Sequence, residues 1–394
     1  MIPRRLHASL DALSAALLIL APSMLGAAPR HRKRLAALGL GVAAYSLATS
    51  YRGRARRPIG PSHHRLLDAA QGAACLGLAR DVDDPAGRMA LRGYAAFSIA
   101  VAALSSPSGP EGVTLPPWAA MADLPADLAL LRCGIVNVAF IGPPGAGDRG
   151  WFLVDAGLPG SAPAILAAAR RRFGASRPAA ILLTHGHFDH VGALPRLAET
   201  WDAPILAHPA EHPYLTGRRA YPPPAPEVGG GMMAEASILF PRSPVDLSQR
   251  LRALPEDGTI PDLPHWQWLH MPGHTPGHVS FWHEDRKILI GGDAVVTTRQ
   301  ESVLAALAAP PHLQGPPAYF TPDWAAAAAS VRRIADLAPT CLIAGHGPAL
   351  GGTALVAALQ ILASGFETRG LPRRSRYLDR RAMPAPGGAR MIGR

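Results

Sequence analysis

The chain has 394 residues, 48% of them apolar and only 17% charged, which supports more than one buried core and excludes a wholly disordered protein. Its net charge of +11 is unevenly spread: residues 1–110 hold 14 Lys/Arg against 5 Asp/Glu, residues 111–365 hold 17 against 21, and residues 366–394 hold 8 against 2. The histidine-rich middle is therefore mildly acidic, which excludes a phosphate-tracking groove there, and no nucleic-acid partner is expected.

In chain order, Leu6–Gly26 is an apolar stretch of spanning length, with Arg4 and Arg5 before it and Arg30, Arg32, Lys33 and Arg34 after it. Leu35–Tyr51, Leu66–Ala79 and Met89–Ser105 follow, so residues 1–107 read as an all-α transmembrane bundle of about four spans. A cleaved signal peptide is the rival reading of the first stretch. His7-x3-Asp11 opens the first stretch, and His64-x3-Asp68 opens the third. The i,i+4 spacing sets each pair on one helical face, where it can cap and position its helix. With the stretch from Tyr45 to Tyr51, these pairs resemble small bacterial four-helix membrane modules of the SPW-repeat kind. The expectation is a multi-pass protein of the bacterial inner membrane, in contact with it through residues 1–107 and with the remainder cytoplasmic.

Residues 108–124, rich in Pro and Gly, read as a linker. Beyond it strands and helices alternate. Ile135–Ile141 and Gly150–Val154 are β-rich, Ser161–Phe173 reads as a helix capped by Ser161, and Ala180–Leu183 is a short buried strand. Pro209–Leu263 is irregular and reads as a lid, an insertion or a membrane contact. Val279–His283 and Ile288–Ile290 read as strands, Thr321 caps a helix reaching Leu337, and a strand at Thr340–Ala344 precedes a last helix at Thr353–Ser364. The basic tail 366–394 reads as disordered.

The strand at Ala180 runs into Thr184-His185-Gly186-His187-Phe188-Asp189-His190-Val191-Gly192, which puts four metal-competent groups within six residues. Neutral imidazole and carboxylate suit Zn²⁺ or another borderline divalent ion. The first histidine pair can bind one ion, and Asp189 with His190 a second. The three cysteines lie too far apart for a metal knuckle or a disulfide framework. Asp155, His274, Asp293 and His346 follow in order, each ending a predicted strand or sitting beside glycine.

Together these motifs resemble the five signature motifs of the metallo-β-lactamase superfamily, over roughly residues 125–365. The resemblance implies an αββα sandwich preceded by the transmembrane bundle. It also implies two divalent ions, with Zn²⁺ expected and Fe or Mn as alternatives. His185, His187 and His274 would hold the first ion and Asp189, His190 and His346 the second. Asp293 would bridge both, and Asp155 would orient a ligand histidine. Asp189 is the expected proton acceptor, and Tyr319 a candidate substrate contact or a packing residue. His278, four residues past His274, is expected to be structural. Aspartate at 293 disfavours a β-lactamase, and the absent helical domain after His346 puts true glyoxalase II activity in doubt.

The leading expectation is a membrane-tethered hydrolase that cleaves a small ester, thioester or lactone through a metal-bridging hydroxide. A mono-iron persulfide dioxygenase of the same fold and a non-catalytic metal-binding sensory or structural domain are the alternatives. No G-x-S-x-G nucleophile motif competes.

Overall fold

The structure, a computed structural model, describes residues 4–24, 29–49, 59, 61–104, 109–116, 122–242 and 246–378. The far ends of three expected spans, residues 117–121 of the linker and residues 379–394 of the tail lie outside the described residues. The chain divides into two compact units, 1–109 with 229–236, and 110–228 with 237–394.

Four helices build the first unit: α1 (Arg4–Met24), α2 (Pro29–Ala48), α3 (Pro61–Leu78) and α4 (Pro85–Leu104). α1 packs chiefly on α2, and α3 on α4, so the unit consists of two helical hairpins. Glycine allows the close crossings: a Cβ on Gly39 would stand 2.9 Å from the Ala15 carbonyl, and one on Gly72 3.0 Å from that of Ala95. Ala15, Leu18, Leu35, Val42, Cys75 and Ala95 form the apolar part of the core.

The reading of four membrane spans is not supported. Helices form where the apolar stretches were read, but none among the described residues is long and apolar enough to cross a membrane. The helices carry ionisable groups among their apolar residues. α1 carries His7 and Asp11, α2 opens on Arg30, Arg32, Lys33 and Arg34, α3 holds His64, Arg65 and Asp68, and α4 holds Arg88 and Arg92. Residues 229–236, within the irregular stretch, fold with this unit. Buried Arg65 pairs there with buried Glu235 of the short helix Met232–Ala236.

In the second unit, β1 (Val113–Thr114) orders part of the expected linker by pairing with residues 312–313. One sheet runs in the order β2 (Leu128–Cys133), β3 (Val136–Ile141), β4 (Phe152–Val154), β5 (Ala180–Leu182), β6 (Ile205–Ala207) and β7 (Leu251–Ala253). It is antiparallel from β2 to β4 and parallel from β4 to β7. The other contains β8 (Gln267–His270), β9 (Val279–His283), β10 (Ile288–Gly292), β12 (Cys341–Ala344) and β13 (Leu350–Gly351), with β10 and β12 parallel neighbours. Between them in sequence, β11 (His312–Leu313) returns to β1.

Strand alternation sorts the apolar residues onto two faces. Val138, Phe140, Leu153 and Ile181 join the core beneath α5 (Ala162–Phe173) and α6 (Leu194–Trp201). Ala139, Ile141, Phe152, Val154 and Leu182 meet Val279, Phe281, Ile288, Ile290 and Ile343 between the sheets. α7 (Trp324–Leu337) packs on α8 (Gly352–Ser364), which covers β12 and β13. The result is an αββα sandwich. Two local readings change. Asp323, not Thr321, caps α7 by accepting from Ala326 N, and the tail stays ordered through residue 378, with Phe366 and Tyr377 buried.

Asn137 on β3 ties one sheet to the other by donating through Nδ2 to Ala344 O at 2.9 Å and Gly347 O at 2.7 Å. Asn137→Ala leaves two carbonyls of the His346 loop without this donor, at a cost of roughly 1–3 kcal/mol. Thermal unfolding should show the loss as a lowered Tm; an unchanged Tm would mean that Asn137 does not secure the loop.

Candidate metal centre

Seven side chains named from the sequence converge in one cleft of the αββα unit, and all are buried: His185, His187, Asp189, His190, His274, Asp293 and His346. Strand ends place most of them. β5 leads into the histidine loop, β10 into Asp293 and β12 into His346, while His274 sits between β8 and β9. Gly345 is required by crowding: a Cβ there would lie 2.1 Å from Asp293 Oδ1 and 2.7 Å from the His190 ring.

Two donor sets are visible. His187 Nδ1 lies 3.1 Å from His185 Nε2 and 2.9 Å from His274 Nε2, so three ring nitrogens face one point. His346 Nε2 lies 3.4 Å from Asp189 Oδ2, and His190 belongs to the same cluster. Asp293 stands between the sets, with Oδ1 3.6 Å from His190 Nε2 and Oδ2 3.5 Å from His274 Nε2 and 3.1 Å from His346 Nε2.

The donors fit a pair of metal ions on two counts. First, His190 Nε2 and Asp293 Oδ1 are buried without a hydrogen-bond partner, an arrangement that is costly without a ligand. Second, the outer ring nitrogens are committed elsewhere, as in ligating histidines. His190 Nδ1 lies 2.8 Å from Asp155 Oδ2, and His346 Nδ1 donates to Ile135 O at 2.7 Å. Thr184 Oγ1 donates to Asp155, so toward His185 Nδ1, 3.1 Å away, it acts as acceptor. Thr321 Oγ1 donates to Pro317 O and lies 3.3 Å from His274 Nδ1.

Electrostatics agree. Burial pushes His185 and His274 well below the usual imidazole range and His187 to about 3, so these rings are neutral lone-pair donors. Burial also opposes charge on His190 and His346, but Asp293 and the neighbouring carboxylates outweigh it and raise both. Burial would raise Asp293, yet His346 and His190 hold it well below the carboxylate range. The site is built to hold positive charge.

Asp155, at φ +60°, accepts from Thr184 N and Thr184 Oγ1, both at 2.8 Å, besides facing His190. Tyr319 is buried against Phe320 and Phe240, and burial together with Asp189, Glu301 and Asp293 keeps its phenol protonated. His278 has a supporting contact: its Nε2 accepts from Asp293 N at 2.8 Å.

Sequence reading missed Glu211. It is buried and accepts from Gly186 N at 3.0 Å, from Gly277 N at 2.7 Å and from the Tyr221 hydroxyl, so one carboxylate clamps both histidine loops. No spacing rule announces a glutamate 19 residues beyond Gly192, the last residue of the histidine motif. Asn137 was missed for the same reason, since its partners are backbone carbonyls far along the chain.

A family model described as the metallo-beta-lactamase superfamily matches residues 131–346, more than half of the chain. The probable metallo-hydrolase YflN of Bacillus subtilis is 46% identical over 223 residues, which cover 56% of this chain and 84% of the relative. The hydroxyacylglutathione hydrolase GloC of Haemophilus influenzae is 31% identical over 117 residues, or 29% of this chain and 49% of that protein. A crystal structure of a protein in a di-iron-bound form is 28% identical and covers 58% of this chain and 96% of its own, with a TM-score of 0.38. The chain belongs to the metallo-β-lactamase superfamily and is a hydrolase of that fold.

Proposed function

We propose that the αββα unit hydrolyses a small, uncharged ester, thioester or lactone with two divalent ions. The observation that carries this reading is Asp293, whose carboxylate reaches both histidine sets, Oδ1 facing His190 and Oδ2 facing His274 and His346, as a bridging ligand would. His185, His187 and His274 would hold one ion, and Asp189, His190 and His346 the other. The all-nitrogen-and-oxygen donor set suits Zn²⁺, with Fe and Mn also compatible. When bound, such a pair lowers the pKa of water and polarises a carbonyl.

The chain's own residues do the rest. Asp155 fixes the His190 ring, and Asp189 takes up the proton released as water attacks. Tyr319, held protonated, donates to the oxygen on which charge develops. A hollow beside His187 and His274 is walled by Tyr221, Pro222, Pro223, Pro276, Phe320 and Pro322. None of its described lining residues is Lys or Arg. That favours a neutral acyl group.

His187→Ala should abolish hydrolysis of a generic thioester or lactone and release metal, measured by turnover and elemental analysis. Retained turnover would remove the mechanism, and oxygen consumption with iron as the sole metal would replace it with a dioxygenase. Asp155→Asn should weaken metal affinity by about 10–100-fold and regain activity in excess metal. Unaltered affinity in a chelator titration would deny Asp155 its orienting role. Tyr319→Phe should lower kcat by about 10- to 100-fold at unchanged metal content; an unchanged kcat would leave Tyr319 a packing residue.

A further inference from the structure

We propose that the helical unit holds a third metal site, formed by His7 and Asp11 of α1 with His64 and Asp68 of α3, for a single divalent transition-metal ion of the Zn²⁺ class. All four side chains are buried, and one ligand atom from each lies within 4.8 Å of every other.

The distances carry the assignment. His7 Nε2 stands 2.8 Å from Asp68 Oδ2 and 3.4 Å from Asp11 Oδ1. His64 Nε2 stands 2.9 Å from Asp11 Oδ2 and 3.4 Å from Asp68 Oδ2. Each imidazole nitrogen thus faces both carboxylates, one within its own helix and one across. A tetrahedral site with bonds of about 2.0–2.2 Å places its ligand atoms about 3.3–3.5 Å apart. The dinuclear centre, likewise without ions, shows separations of 2.9 to 3.6 Å between its own ligand atoms. In the helical cluster the two 3.4 Å contacts match a tetrahedral separation, and the two cross-helix contacts, at 2.8 and 2.9 Å, have drawn in to hydrogen-bond length.

The outer contacts match too. Thr49 Oγ1 donates to Tyr45 O at 2.7 Å and lies 2.8 Å from His64 Nδ1, so it accepts the proton of that nitrogen. Nε2, the other ring nitrogen of His64, is the one that faces the carboxylates. Thr321 plays the same part for His274, down to the bond to the carbonyl four residues earlier. The Tyr45 hydroxyl donates to Asp68 Oδ1 at 2.7 Å, engaging that oxygen and leaving Oδ2 for the cluster.

Charge supplies the last step. Two buried carboxylates facing two imidazole nitrogens make a donor set whose charge and chemistry suit a dication. Two imidazolium rings would also balance the charge, and the experiment below separates the two. With four protein ligands the site is closed, hence structural. It would clasp α1 to α3 and so join the two hairpins.

The test uses the full chain, metal-stripped, reloaded with Zn²⁺ and analysed for bound metal. Wild type should hold about three equivalents and Asp68→Asn about two, with hydrolysis retained by the variant. A folded, active Asp68→Asn protein with the wild-type metal content would overturn the site in favour of a hydrogen-bonded imidazolium pair. A second measurement does not depend on that variant folding. His187→Ala/Asp293→Ala protein loaded with Co²⁺ should keep about one tetrahedral Co²⁺ by its visible absorption. Absence of that band with α-helix content intact would overturn the proposal. Loss of hydrolysis in His187→Ala bears only on the catalytic reading, so the two proposals fail separately.

Discussion

Asp155 is the fixed point from which the catalytic centre is built. It ends β4 in a left-handed backbone conformation, which aspartate tolerates better than most residues, and its carboxylate receives the Thr184 amide, the Thr184 hydroxyl and the His190 ring. These bonds secure both ends of the histidine loop. The Thr184 end sets His185 through the threonine hydroxyl, and the far end sets His190 directly. Because β4 and β5 are parallel neighbours, Asp155 and the loop leave the sheet at the same edge. The order of strands thereby becomes the order of ligands.

A second carboxylate, Glu211, does for the two loops what Asp155 does for one. Its bonds to Gly186 N and Gly277 N hold the His185–His187 turn at a set distance from the His274 loop. Burial pushes its carboxyl up, and the donors around it pull the other way. The centre therefore rests on buried acids that accept backbone and ring protons. Such contacts are costly to break and leave little freedom for the ligand rings.

Much of this was legible in sequence because parallel strands put their chemistry at predictable ends. Asp155, Asp293 and His346 each follow a short apolar run, and the runs at Ala180, Ile288 and Cys341 are indeed strands. β2, β6, β7 and β8 were not read, since they are short or lie on exposed edges with weak alternation, as in the mixed burial of Leu128–Cys133. Glu211 and Asn137 escaped because they act on backbone groups distant in sequence. The reading of membrane spans finds no support, since no helix among the described residues is long and apolar enough to cross a membrane. Leu13, Leu17, Leu40 and Leu47 are exposed while His7, Asp11, His64 and Asp68 are buried. The periodicity placed each His–Asp pair on one helical face but could not show that the two faces meet.

The two clusters share their outer wiring but differ in the scaffold that carries it. In the αββα unit, His187 and His274 line a small hollow with largely apolar walls. In the helical unit the two histidines and two aspartates face one another, with Thr49 and Tyr45 outside them, and Asp11 and Asp68 line a small hollow of their own. Open coordination lets a metal act on a third party; closed coordination spends the same attraction on holding helices together. The same elements of wiring, a threonine committed to the carbonyl four residues earlier and accepting from a histidine, serve both arrangements. What a metal held by such wiring can do depends on whether the scaffold around the ring leaves a face uncovered.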